Sequence, residues 1–289
     1  MNPQSFSIAC MVALLAALPL YAGDGKIKSE KKIVYGKGAE VDLELDLAMP
    51  ASGAGPFPAV VCIHGGGWRG GSRQSLNGLT ELLARNGFVA VTVSYRFAPK
   101  YRFPAQIEDC KAAVRWLRAN AKKYKINPDR VGAVGFSAGG HLACLLGAAT
   151  EAAGLEGKGG NPSQSTRVQA VVSYFGPTDF TVKTWANDVE NIFFIPLLGG
   201  RFEDKKDDYR KCSPLIYCRK DCPPFLFFHG AKDVLVGIEH SRKMSKKLTD
   251  LGVSAKLVTL PDAGHGWGGA KLTTTLNQTV HFFKDKLQK

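Results

Sequence analysis

An α/β architecture, with a mostly parallel central sheet and helices on both faces, is expected from three features of the sequence. Strand-like apolar runs alternate with helix-period segments along nearly the whole chain, as in repeated βαβ units. Several runs, such as PAVVCI at 58–63 and FVAVTVSY at 88–95, are almost continuously apolar, so both of their faces are buried. The 289 residues are 45% hydrophobic and 22% charged, which is enough for one large core. A single domain over residues 23–289 is therefore expected.

Taken in order, residues 1–22 stand apart. Ile8–Leu18 is an unbroken apolar run of 11 residues, followed by PLYA and then Gly23. A bilayer span needs about 20 residues, so this run suits the core of a signal peptide. Cleavage near Ala22 and export are expected, although no Lys or Arg precedes the run. No other segment reads as transmembrane, so stable membrane insertion is not expected.

Val41–Leu47 alternates apolar and charged residues, the pattern of a half-buried strand. Pro50–Pro58 is a Gly/Pro-rich loop, and Pro58–Ile63 is a strand. Leu76–Asn86 reads as a helix stopped by Gly87, and Phe88–Tyr95 as a β-branched strand. Pro104–Lys123 places Ile107, Cys110, Val114 and Leu117 on one helical face. Arg130–Phe136 is a strand and His141–Ala149 a helix of small residues. Strands follow at Val168–Phe175 and Pro224–Phe228, a helix at Gly237–Leu251, a strand at Ala255–Leu260 and a last helix at Leu272–Leu287. Glu151–Thr166 and Val182–Asp221 read as irregular insertions, the kind of segment that carries function.

The formal net charge is +13. The basic residues are scattered and accompany no recognition module, so a soluble basic surface is favoured over nucleic-acid binding. Seven cysteines are present. Cys62, Cys110 and Cys144 lie among apolar neighbours and read as buried thiols. Cys212, Cys218 and Cys222 cluster, and in an exported protein Cys218–Cys222 could pair. No CxxC pair or paired histidines suggest a metal.

Gly135-Phe-Ser-Ala-Gly139 falls where a strand ends and a helix begins. That is the context a G-x-S-x-G nucleophile turn requires. Such a turn tolerates only small flanking residues and projects Ser137 beyond the strand, next to a helix N-terminus that favours negative charge. A serine nucleophile needs a base, and the base needs an orienting acid. In the α/β-hydrolase order these follow the serine, acid first.

Of six histidines, His265 in PDAGHGW is the best base, because glycines on both sides free its ring. His229 closes a strand, while His240 and His281 lie in helical segments. His141, one turn after Ser137, reads as structural, and His64 as a loop-fixing residue. Asp233, directly after the strand ending at Phe228, is the leading acid. Asp179 after another strand and Asp262 near His265 are the alternatives, either of which suits a turn.

HGGGW, GFSAGG, HGAKD and DAGHGW occur in that order. With SYRFAPKYRFPAQIEDCKAAVRWLRANA and VSYFGPTDF, they give residues 32–287 a resemblance to α/β-hydrolase esterases. The chain is similar to the hormone-sensitive-lipase-like group, and more so to BD-FAE-type acetyl or feruloyl esterases. That resemblance implies Ser137, Asp233 and His265 as a triad. It implies the N–H groups of Gly65, Gly66 and Ala138 as an oxyanion hole, and no metal or organic cofactor.

The resemblance further implies hydrolysis of short-chain or aryl esters, free or attached to polysaccharide. Trp68 and Trp267 flank these loops and read either as pocket walls or as core. The insertions near Glu151–Thr166 and Trp185–Arg201 are expected to shape the leaving-group side. Two rivals remain. A prolyl-oligopeptidase-type peptidase shares the motif order but normally carries a propeller gate. A non-catalytic binding module of this fold usually lacks a triad member.

Overall fold

The computed structural model describes residues 25–288. The expected signal segment, with Cys10, lies outside the described residues. Eight strands form one sheet: β1 Ile27–Gly38, β2 Val41–Pro50, β3 Phe57–Ile63, β4 Val89–Val93, β5 Ile126–Phe136, β6 Ala170–Tyr174, β7 Phe225–Gly230 and β8 Ala255–Leu260. Their order is β1-β2-β4-β3-β5-β6-β7-β8. β1 pairs antiparallel with β2 and β2 with β4, while every pair from β4 onward is parallel.

The helices are α1 Asn77–Arg85, α2 Ala105–Ala119, α3 Ala121–Tyr124, α4 Ala138–Ala148, α5 Asn187–Val189, α6 Ile195–Leu198, α7 Lys206–Cys212, α8 Glu239–Asp250 and α9 Gly269–Leu287. Strand alternation explains why both sheet faces are covered. Val61, Ile63, Val91 and Ala133 join one core with residues of α2, α4 and α8. Val60, Cys62, Ala90 and Val134 join the other with residues of α1 and α9. The parallel register aligns Ile63 with Val93 and Gly135. The loops after β3, β5, β6, β7 and β8 thus open along one edge of the sheet, where such folds bind ligands.

The sequence patterns missed β1. Its residues IKSEKKIVYGKG are mostly exposed, and two register shifts interrupt its pairing with β2. An edge strand rich in lysine buries one face weakly and resists pairing with other chains.

The stretch Val182–Asp221 is also more ordered than its composition suggested. It holds α5, a π-helical turn Glu190–Phe194, α6, α7 and the 3-10 turn Pro214–Tyr217. Each piece is too short to show a period. Burial of Phe194, Leu197, Leu198, Tyr209 and Cys212 stabilises them together, as nonlocal packing does for short helices.

The other insertion, Glu151–Thr166, packs on β1 and α2. Lys37 N–H donates to Gly159 O at 3.3 Å. Arg115 of α2 donates to Gly160 O and Glu156 O, each at 2.8 Å. The insertion buttresses both elements. Cys62, Cys110, Cys144, Cys212, Cys218 and Cys222 are all free. The Cys218–Cys222 pairing is thus not formed. Cys222 Sγ instead accepts from the Arg219 N–H at 3.4 Å. Among the described residues, no helix is long and apolar enough to cross a membrane.

Candidate active site

The turn between β5 and α4 is strained in a way its sequence permits. Ser137 has φ 54° and ψ −119°, a conformation that costs a non-glycine residue about 1–3 kcal/mol and clusters at functional sites. Its neighbours must be small because backbone crosses backbone there. A Cβ on Gly135 would fall 2.0 Å from Gly139 O, and one on Gly139 would fall 2.1 Å from Ile63 O. The turn is pinned by Ser137 N–H donating to Tyr174 O at 2.9 Å and His141 N–H donating to Ser137 O at 3.0 Å. Ala138 is the first residue of α4, so its N–H has no acceptor within the helix.

Loops after β7 and β8 bring the other two groups to this serine. Ser137 Oγ lies 2.9 Å from His265 Nε2, and His265 Nδ1 lies 2.8 Å from Asp233 Oδ2. A carboxylate only accepts, so Nδ1 carries the proton and Nε2 is free to receive the Ser137 hydroxyl hydrogen. Asp233 Oδ1 accepts from Leu235 N–H at 3.0 Å and Val236 N–H at 2.9 Å. His229 Nε2 stands 3.4 Å from Asp233 Oδ2. Burial pushes the Asp233 carboxyl up, but bonds to His229, His265 and Val236 outweigh it and hold the group well below the usual carboxylate range. The acid is anionic wherever the protein is folded near neutrality.

The alternative acids are engaged elsewhere. Asp179 accepts from Lys243 Nζ at 2.8 Å and from Thr181 N–H at 3.0 Å. Asp262 is exposed, with Lys232 Nζ at 3.6 Å.

The glycine run after β3 packs directly on the turn. A Cβ on Gly65 would lie 2.9 Å from Phe136 O and 3.3 Å from Ser137 Cβ. Gly66 and Gly67 have φ of 119° and 61°, values that favour glycine. The loop closes through Arg69 and Gly70 N–H groups donating to Gly66 O at 3.1 and 3.2 Å. His64 fixes its start. Its Nδ1–H donates to Gly65 O at 2.7 Å, and its ring stacks on Tyr95 at 4.5 Å. Burial lowers His64 to about 4, so the ring is neutral.

Trp68 is 3% exposed and so is an anchor inside the protein rather than an open wall. Its Nε1–H donates to His141 Nδ1 at 3.1 Å. His141 Nε2–H in turn donates to Cys212 O at 2.7 Å. His141, also lowered to about 4 by burial, thereby joins the serine helix, the glycine loop and α7. Trp267 is half-buried, and its Nε1–H donates to Thr275 Oγ1 at 3.1 Å.

Three contributors escaped the sequence reading. Phe175, at φ 41°, sets its ring 4.8 Å from His265 and 5.2 Å from Trp267. His229 supports Asp233. Phe193 lies over Gly67, where an added Cβ would be 2.5 Å from its ring. Phe175 and Phe193 act through partners distant in sequence, whereas His229 stands four residues before Asp233 in HGAKD, the signal that could have marked it.

A sheet of this order with an acid, a base and a strained serine at its carboxyl edge defines an α/β-hydrolase. The chain belongs to the BD-FAE family, whose sequence pattern matches residues 45–248. Esterase LipC of Mycobacterium tuberculosis is 32% identical over 217 residues, covering 73% of this chain and 53% of LipC. The chain thus spans about half the length of the curated relatives it matches.

A truncated form of a carbohydrate esterase from gut microbiota has a TM-score of 0.81 at 26% identity, over 91% of this chain and 97% of that one. Butyrate-bound esterase Est2 of Thermogutta terrifontis has a TM-score of 0.74 at 27% identity, over 90% and 94%. That esterase is also known phosphoramylated by tabun.

Proposed function

We propose that this protein is a serine carboxylesterase that works through an acyl-enzyme. The observation that carries the reading is the unbroken line Ser137 Oγ–His265 Nε2–Asp233 Oδ2, with spacings of 2.9 and 2.8 Å, beside the Gly65 backbone. His265 takes the Ser137 proton as Oγ attacks the ester carbonyl, and Asp233 stabilises the imidazolium. The N–H groups of Gly65, Gly66 and Ala138 receive the developing oxyanion, and each such donor contributes on the order of 3 kcal/mol to the barrier reduction. His265 then protonates the departing alcohol and activates the water that cleaves the acyl-enzyme.

The favoured substrates are short-chain or aryl esters, including acetyl or feruloyl groups on polysaccharide. A carbohydrate esterase and a butyrate-bound esterase among similar structures support this class. We also infer export after cleavage near Ala22. The test is labelling with a fluorophosphonate alongside hydrolysis of p-nitrophenyl acetate and an aminoacyl-proline amide. Adduct on Ser137 and ester cleavage, both lost in Ser137→Ala, are expected. Cleavage of the amide without the ester would favour a peptidase, and a folded chain with no adduct would favour a binding role.

A further inference from the structure

The π-helical turn Glu190–Phe194 is held by a carboxylate with no exposed surface. Glu190 Oε1 accepts from Phe202 N–H at 2.7 Å and from Tyr209 O–H at 3.3 Å. Its Oε2 pairs with Lys183 Nζ at 2.8 Å and faces Arg201 at 3.8 Å. Four partners on two flanking segments fix this turn in one place. Irregular turns of this type often accompany function.

The turn presents a backbone carbonyl and a side chain to the glycine loop. Arg69 Nη1 donates to Ile192 O. Phe193 sets its ring edge where a side chain on Gly67 would stand. Gly67 is therefore a glycine for two reasons: its positive φ and the space that Phe193 fills. Phe194, beside it, is buried against Trp68 at 6.0 Å and Phe180 at 5.0 Å, so the turn cannot swing without disturbing the core.

The two sides of the bound ester follow from proton transfer. The leaving oxygen must face His265 Nε2, which protonates it. Phe175 lies 4.8 Å from His265, with Trp267 against Phe175 at 5.2 Å, and these rings border the leaving-group side. The acyl chain departs from the same carbonyl carbon on the side away from His265, past the glycine loop. Phe193 stands against that loop at Gly67, which points the insert toward the acyl side, where its place in the sequence had suggested the leaving-group side.

We propose that Phe193, fixed by the Glu190 anchor, is a specificity-determining residue that sets the upper limit on acyl size, with Glu190 its positioning residue. The inference rests on the carboxylesterase reading. Its test is the ratio of kcat/KM for p-nitrophenyl octanoate to that for the acetate, in the full chain and in Phe193→Ala, Phe193→Leu and Glu190→Gln. Both rates come from one preparation, so a partly folded variant cancels from the ratio.

Phe193→Ala should raise the ratio about tenfold or more, the effect of one or more methylenes admitted to an apolar pocket. Phe193→Leu should fall between it and wild type. Glu190→Gln, which loosens the turn without removing the ring, should shift the ratio in the same direction by less. A ratio within about twofold of wild type in Phe193→Ala overturns the inference, because acyl discrimination then lies elsewhere. Loss of all ester hydrolysis in folded Phe193→Ala also overturns it, since the ring would then only support the loop. An unchanged ratio in Glu190→Gln removes Glu190 from the assignment. A wild-type chain that hydrolyses neither ester overturns the carboxylesterase reading itself.

Discussion

Replacing Trp68 by phenylalanine removes one hydrogen-bond donor and little else. The Trp68 ring lies 6.3 Å from Phe180 and 6.0 Å from Phe194, and a phenyl ring keeps most of that packing. What disappears is the Nε1–H donated to His141 Nδ1 at 3.1 Å. His141 has no exposed surface, so bulk water cannot supply a new donor. A change of tautomer does not help. It would leave Nε2 without a proton 2.7 Å from the Cys212 carbonyl, two acceptors facing each other.

One buried acceptor left unsatisfied costs about 1–3 kcal/mol, and the unfolding free energy should fall by about that amount. Trp68 also follows Gly67 directly and has φ 59°, so the lost bond releases a residue held in a left-handed conformation. The glycine loop should loosen. Displacement by about 1 Å at a reacting centre costs on the order of a hundredfold in rate, so kcat should fall about ten- to a hundredfold, with KM affected less. Urea unfolding and steady-state hydrolysis of p-nitrophenyl acetate measure the two effects. Wild-type stability together with wild-type kcat would refute the reasoning, because the bond would then neither satisfy His141 nor position the loop.

Two further outcomes are expected. Asp233→Asn should lower kcat about ten-thousandfold by favouring the wrong His265 tautomer, whereas Asp179→Asn should affect mainly the Lys243 contact and stability; comparable kcat losses in the two would refute the assignment of the acid. Burial holds His64, His141 and His240 at about 4 against an ordinary 6.5. Between these values the unfolded chain binds protons that the folded chain does not. Stability is therefore full above about pH 6.5 and falls toward pH 4, each group contributing a slope of up to about 1.4 kcal/mol per pH unit. Urea midpoints measured from pH 7 down to pH 4.5 test this, and a flat profile would contradict it. Asp233 contributes little change in that window, since its stabilisation is lost mainly below its unfolded value of about 3.8, as pH falls toward its depressed folded value.

The motifs legible in the sequence are those whose geometry is local. A serine in a sharp strand-to-helix turn forces Gly135 and Gly139 within a few positions of it, and a mobile base is marked by Gly264 and Gly266 beside His265. The alternating runs also gave the parallel part of the sheet, because burial on both faces leaves its trace on every residue of a strand. β1 left little such trace, since this lysine-rich edge strand is mostly exposed and buries mainly Tyr35 and Gly38.

What the chain order left open was settled where distant segments meet. Asp179 and Asp233 both follow a strand and look alike in sequence. Only Asp233 reaches His265, at 2.8 Å, while Asp179 is held by Lys243 at 2.8 Å. Trp68 reads equally as pocket or core in sequence; its hydrogen bond to His141, 73 positions away, places it in the core. Nothing in HGGGW sets Gly67 apart from its neighbours, yet the Phe193 ring occupies the place of its missing side chain. Local sterics are written into neighbouring residues. A hydrogen bond or ring contact between segments a hundred residues apart depends on how the sheet stacks its loops, and the residues at either end carry no mark of it.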